Sequence, residues 1–212
     1  GVGGTLAVTG NSTFSGEIIT STSGTSNVRI GENAGDAIAS GGNYNTVVGD
    51  EAGTALTTGD DNVAVGYAAL KTEDAHGRNT AVGYEALEML NAGADGENVA
   101  VGYRAGEELT EGIQNTLIGT QAGDSLTHAD YNVAIGRNAL TTDTQGHKSV
   151  AVGNAALASQ NFTSSTDSNN TAVGYDAGGY VSTGTSNTLI GANAGAAITT
   201  GNNNTILGKG AG

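Results

Sequence analysis

Three histidines, His76, His128 and His147, and twenty-one acidic side chains are the groups with which this 212-residue chain could do acid–base or metal chemistry. A histidine acts as a base or a ligand only beside a nucleophile or further ligands at fixed spacing. Each of these three lies in a turn of variable sequence, cysteine is absent, and there is no Gly-x-Ser-x-Gly elbow. The acidic turns Gly59-Asp60-Asp61-Asn62 and Gly93-Ala94-Asp95-Gly96-Glu97 offer oxygen ligands of the kind calcium takes. They lack the alternation of an EF-hand loop and the even Asp repeat of calcium-binding rolls. Solvated turns account for them, and the expectation is a protein with no catalytic residue, no metal and no cofactor.

Surface recognition is the chemistry that remains. Tyr67, Tyr84 and Tyr103 recur at one position of three successive units, and a row of tyrosines supplies rigid rings with hydrogen-bonding tips. Asn161, Phe162 and Thr163 lie in a four-residue insertion within residues 158–169, and insertions in a stacked repeat bulge from one side as loops. These six residues form the candidate binding surface. On this reading, deletion of residues 161–168 leaves folding intact.

The elements that carry these side chains are set by a repeat. The pattern Asn-(Thr/Val)-x-aliphatic-Gly-x-x-Ala begins at Asn27, Asn45, Asn62, Asn79, Asn98, Asn115, Asn132, Ser149, Asn170, Asn187 and Asn204. Most spacings are 17 residues; the longest, 21, follows Ser149. A fixed period of this size marks small units that bury a core only by stacking. Residues 27–212 are therefore expected to form an all-β solenoid, a parallel roll of about eleven coils of ~17 residues. Residues 1–26 read as a separate spacer of short strands.

Each unit implies a short strand ending in a glycine, where a β-carbon would block the turn. Position 4, from Ile30 through Leu207, is aliphatic throughout and is expected to face the roll's interior. Position 3 then takes the opposite face. Since it is apolar at Ala64, Ala81, Ala100, Leu117, Ala134, Ala151, Ala172 and Leu189, these residues are expected to form an oligomer face. The first-position asparagines should stack as an amide ladder between coils ~4.8 Å apart. Position 9 alternates in pairs between Gly and Leu, and the Gly units carry an aliphatic residue three places later, as in Ile38, Leu56 and Leu126. That is volume compensation in a close-packed interior.

Seven basic residues against twenty-one acidic give a net charge of −14, which argues against nucleic acid and anionic membranes as partners. No apolar run approaches the ~18 residues of a membrane span. The start at Gly1 reads as a piece of something longer.

The unit Asn79-Thr80-Ala81-Val82-Gly83-Tyr84 resembles the head repeats of trimeric autotransporter adhesins and, more closely, those of phage tail-fibre proteins. The opening Gly4–Gly16 segment is similar to tail-fibre spacers. The resemblance implies a parallel homotrimer of left-handed rolls, side by side or intertwined, at a cell surface, outside the cell or on a virion tail. It further implies adhesion to a surface glycan or host receptor. A purely structural shaft is the alternative; ice binding fits poorly, because threonine fills position 2 in only six of eleven units.

Overall fold

The computed structural model describes residues 23–212, so most of the expected spacer lies outside the described residues. From Val28 onward the chain is a stack of coils. Each coil contributes one three-residue strand to a single eleven-stranded sheet. The strands are β1 (Val28–Ile30), β2 (Thr46–Val48), β3 (Val63–Val65), β4 (Thr80–Val82), β5 (Val99–Val101), β6 (Thr116–Ile118) and β7 (Val133–Ile135). They continue as β9 (Val150–Val152), β11 (Thr171–Val173), β12 (Thr188–Ile190) and β13 (Thr205–Leu207). Every neighbour pairs in parallel and in register, as in Ala81 opposite Ala100 and Ala100 opposite Leu117. Eleven strands at ~4.8 Å make a sheet roughly 50 Å long. A second, two-stranded parallel sheet joins β8 (Gly146–His147) to β10 (Thr166–Asp167). No helix occurs among the described residues.

The strand ends at a glycine whose φ is near +130° to +147° along the inner stack, a region closed to L side chains. A β-carbon on Gly66 would also lie 2.3 Å from the Gly83 carbonyl oxygen of the next coil. The rest of the corner is two tight turns rather than a second strand or a helix. Position 7 adopts a left-handed φ of 50–60° whether it is Asn33, Glu51, Ala68 or Arg104. So does position 9 in both of its forms, Gly53 and Leu70. The residue just before each coil's leading Asn or Ser does the same, from Ser26 to Asn203.

The strand parity is the reverse of that expected. Ala64, Ala81, Ala100, Leu117, Ala134, Ala151, Ala172 and Leu189 are wholly buried within one chain, so they are the core and not an oligomer face. Positions 2 and 4 point outward. The reason is volume: a 17-residue coil closes around a narrow interior, which takes Ala on the strand and leaves no space for an unbroken column of Val and Ile. Where position 3 is large, position 9 is small. Leu117 occupies the space that a β-carbon on Gly106 or Gly123 would need, at 2.7 and 2.9 Å, and Leu189 does the same over Gly178 at 2.7 Å. In the coils with Leu70, Leu87, Leu140 and Leu157 at position 9, position 3 is Ala. Ile38, Leu56, Leu109, Leu126 and Val181 complete the core, as the compensation argument required.

The asparagine ladder is present, and its bonds run mainly to the backbone. The Asn45 side chain accepts the Asn62 N–H at 2.9 Å through Oδ1 and donates from Nδ2 to the Gly59 carbonyl at 2.8 Å. The same pair of bonds recurs at Asn98, Asn115, Asn132 and Asn187. At Ser149 the column changes hands. Gln160 donates to the Ser149 hydroxyl at 2.9 Å and accepts from Asn170 Nδ2 at 2.8 Å, filling the space of the missing amide.

Candidate functional site

The acidic turns form a second ladder, on the outside of the stack. A side-chain oxygen two or three residues before the leading Asn accepts an N–H from the preceding coil. Asp60 takes the Asn43 N–H at 2.6 Å, Asp95 that of Gly77 at 3.1 Å, and Asp130 that of Ile113 at 2.9 Å. These carboxylates are therefore structural acceptors. Asp95 and Glu97 also pair with Arg78, at 2.8 and 3.4 Å.

His147 takes the place of an Asp in this ladder: its Nδ1 accepts the Asp130 N–H at 2.9 Å. Its Nε2 lies 2.9 Å from Ser165 Oγ, and Asp130 Oδ2 lies 3.6 Å from Nδ1. Serine, histidine and aspartate are thus in line, but the backbone bond decides the proton. A nitrogen that accepts an N–H carries no hydrogen of its own, so the ring proton sits on Nε2 and is donated to Ser165. The ring then has no lone pair with which to activate that hydroxyl. Beside it, Asp130, Tyr131, His147, Lys148, Ser165 and Asp167 line an open hollow of about 190 Å³, crossed by a Lys148–Asp167 ion pair at 2.6 Å.

Among the described residues, two groups have metal-ligand geometry. Glu73, Asp74 and His76 converge, as do Glu85, Glu88 and Glu107. In the first, Glu73 is buried and its oxygens already accept the N–H groups of His76 and Ala92, both at 3.1 Å. Burial pushes its carboxyl above the usual range against the pull of those bonds. In the second, Arg104 pairs with Glu85 at 2.8 Å and Glu107 at 3.4 Å. Partial burial raises the Glu107 carboxyl, an effect its neighbouring acids reinforce.

Glu73 has a counterpart in Asp143, which accepts from Gly146 N at 3.2 Å and Phe162 N at 2.8 Å. Both acids precede a coil that carries an insertion, and each accepts one backbone N–H from it, Ala92 for Glu73 and Phe162 for Asp143. The two irregularities, a buried acid in one coil and extra residues in the next, are one feature.

The candidate binding residues fall into two places. Tyr67, Tyr84 and Tyr103 form a surface column with ring centroids 5.1 and 5.4 Å apart and planes within 23° and 13°. Each is about two-fifths exposed. Tyr84 carries a ring on each face, and the Arg104 guanidinium lies 5.2 Å from the Tyr103 centroid. At Tyr84 solvent therefore meets the ring edge and hydroxyl rather than an open face. A hydrogen bond to Glu85 holds the Tyr84 phenol above its ordinary value. The insertion lies three coils beyond Tyr103, in a different part of the coil. Thr163 is exposed and Asn161 half-buried, but Phe162 is buried at 7% exposure. Phe162 is thus a peg under the loop and not a displayed side chain. Deleting residues 161–168 would remove that peg, the β10 strand and the Ser168 hydroxyl that donates to the His147 carbonyl at 2.7 Å, so the expected indifference of folding is corrected.

Sequence reasoning missed the outward rows at positions 2 and 4 and the residues of the His147 hollow. The alanine column was the available signal for the first, since small residues mark the narrow side of a coil. No protein family, no curated protein and no solved structure matches this chain.

Proposed function

We propose that the chain is a segment of a self-assembling extracellular or virion-surface fibre with an attachment role, and not an enzyme. The observation that carries this reading is the use of the interior. The core column and both polar ladders are spent on stacking one coil upon the next. Variation inside the stack is compensated so that each coil still fits the next, as Leu117 does over Gly106 and Gly123, and the extra residues are accommodated in loops, which suits a rod that spaces and displays. A homotrimer, a surface glycan or host receptor as ligand, and an extracellular location are parts of the same proposal, taken from the repeat's resemblance to fibre proteins.

A purely structural shaft is the second reading. It is favoured by a specific observation: two of the expected binding features, the tyrosine faces and Phe162, are engaged in packing. Binding of the fluorescently labelled protein to a glycan array and to a panel of bacterial surfaces separates the two. Retention on a subset of surfaces, competed by unlabelled protein, is expected. Uniform failure to bind would leave the shaft.

A further inference from the structure

The long sheet has a covered face and a bare one. Its outward position 4 is aliphatic on all eleven strands, and Val101, Ile118, Val173 and Ile190 are between 36% and 38% exposed. Beside it, position 2 is Thr or Val on every strand, and both present a methyl group. None of the outward positions, two on each strand, carries a charge, in a chain with seven basic and twenty-one acidic residues. We propose that this face is where a second copy of the same chain seats, rung against rung. The inference rests on the reading of the chain as a self-assembling fibre and supplies the surface that reading needs.

Three arguments select another copy over other partners. The first is period. The rungs repeat every ~4.8 Å over roughly 50 Å, and a partner meeting all of them must carry the same repeat. A second solenoid of this sequence does. The second is charge. Two rods of net charge −14 repel over most of their surfaces, and the uncharged sheet is where close approach costs least. The third is area. Three residues of strand span about 10 Å, so the face offers roughly 500 Å² per copy and about 1,000 Å² per pair, the size at which a specific interface begins.

The chain has no cysteine, so a single introduced thiol reports contact cleanly. Ile118 lies on the sixth of eleven rungs and meets its own counterpart whether the copies run parallel or antiparallel. Under mild oxidation Ile118→Cys should link two chains, whereas Glu111→Cys, in an exposed turn, should not. By sedimentation the wild type should be a multiple of the chain mass at micromolar concentration. Ile118→Lys should sediment as a single chain while keeping the wild-type circular dichroism. A monomeric wild type with an unlinked Ile118→Cys would overturn the proposal, as would an Ile118→Lys variant that stays assembled. So would a monomer whose thermal hysteresis disappears in Ile118→Lys, since the face would then meet ice. An assembled protein that binds no surface removes the attachment role and leaves this interface standing; a monomer that binds removes the interface alone.

Discussion

At residue scale the coil is governed by backbone conformations that few side chains adopt. Gly102 has φ of +140°, and a β-carbon there would lie 2.5 Å from the Gly119 carbonyl oxygen. Gly102→Ala should therefore cost on the order of 3 kcal/mol, read as a lower midpoint in chemical denaturation. The reverse holds at position 7, where Ala155 sits at φ 55° and the stack already accepts Asn33, Asn138 and Asn193. Asn tolerates this conformation, so Ala155→Asn should gain about 0.5–1 kcal/mol. His147 illustrates substitution by function rather than shape, since its Nδ1 stands in for an Asp oxygen. His147→Ala would strand the Asp130 N–H at a cost of about 1–3 kcal/mol, while His147→Asn should keep most of the stability.

Glu73 gives a pH dependence whose sign is fixed by its environment. Burial raises its carboxyl in the folded chain above the unfolded value. Its stabilising contribution is therefore complete below the unfolded pKa and is lost as pH rises through the folded one. The melting temperature should climb on acidification from neutral pH, and Glu73→Gln should flatten that climb. General relief of acidic repulsion works in the same direction in both proteins. An unchanged slope in Glu73→Gln would show that Glu73 is not its source.

At the scale of the element, neighbouring coils share volume. Leu117 fills space left by Gly106 and Gly123, so Leu117→Ala should open a cavity and cost about 2–5 kcal/mol. The inserted loops behave as elements of the same kind. The residues 158–169 segment is held by Asp143 from the coil before it and adds a strand of its own. This much was not legible in the sequence. The extra residues were countable and their position was known. That Phe162 turns inward depends on an acceptor nineteen residues away, and no local pattern reports such a partner.

At the scale of the whole molecule, the proposed assembly and the proposed attachment would reinforce one another. If copies mate through the outward sheet, several weak surface sites act together, and avidity can exceed single-site affinity by a factor of roughly 10²–10⁴. The assembled fibre should therefore hold its target far more tightly than Ile118→Lys does, measured by surface retention at equal chain concentration. Equal retention would mean that one chain carries the whole interaction.

The sequence by itself determined the stack. The spacing of Asn, Gly and Ala fixed the coil count, the parallel register, the position of each turn and the compensation between Leu and Gly, because each follows from local geometry repeated at one period. Tertiary structure decided which way the strand faces. Alternation assigns positions 2 and 4 to one side and position 3 to the other, but parity alone is symmetric. What breaks the symmetry is the width of the closed coil, which admits Ala64 and Ala81 and turns Val65 and Val82 out. The same closure stacked the tyrosine rings face to face and pulled Phe162 under its loop, since both depend on what the neighbouring coil brings alongside.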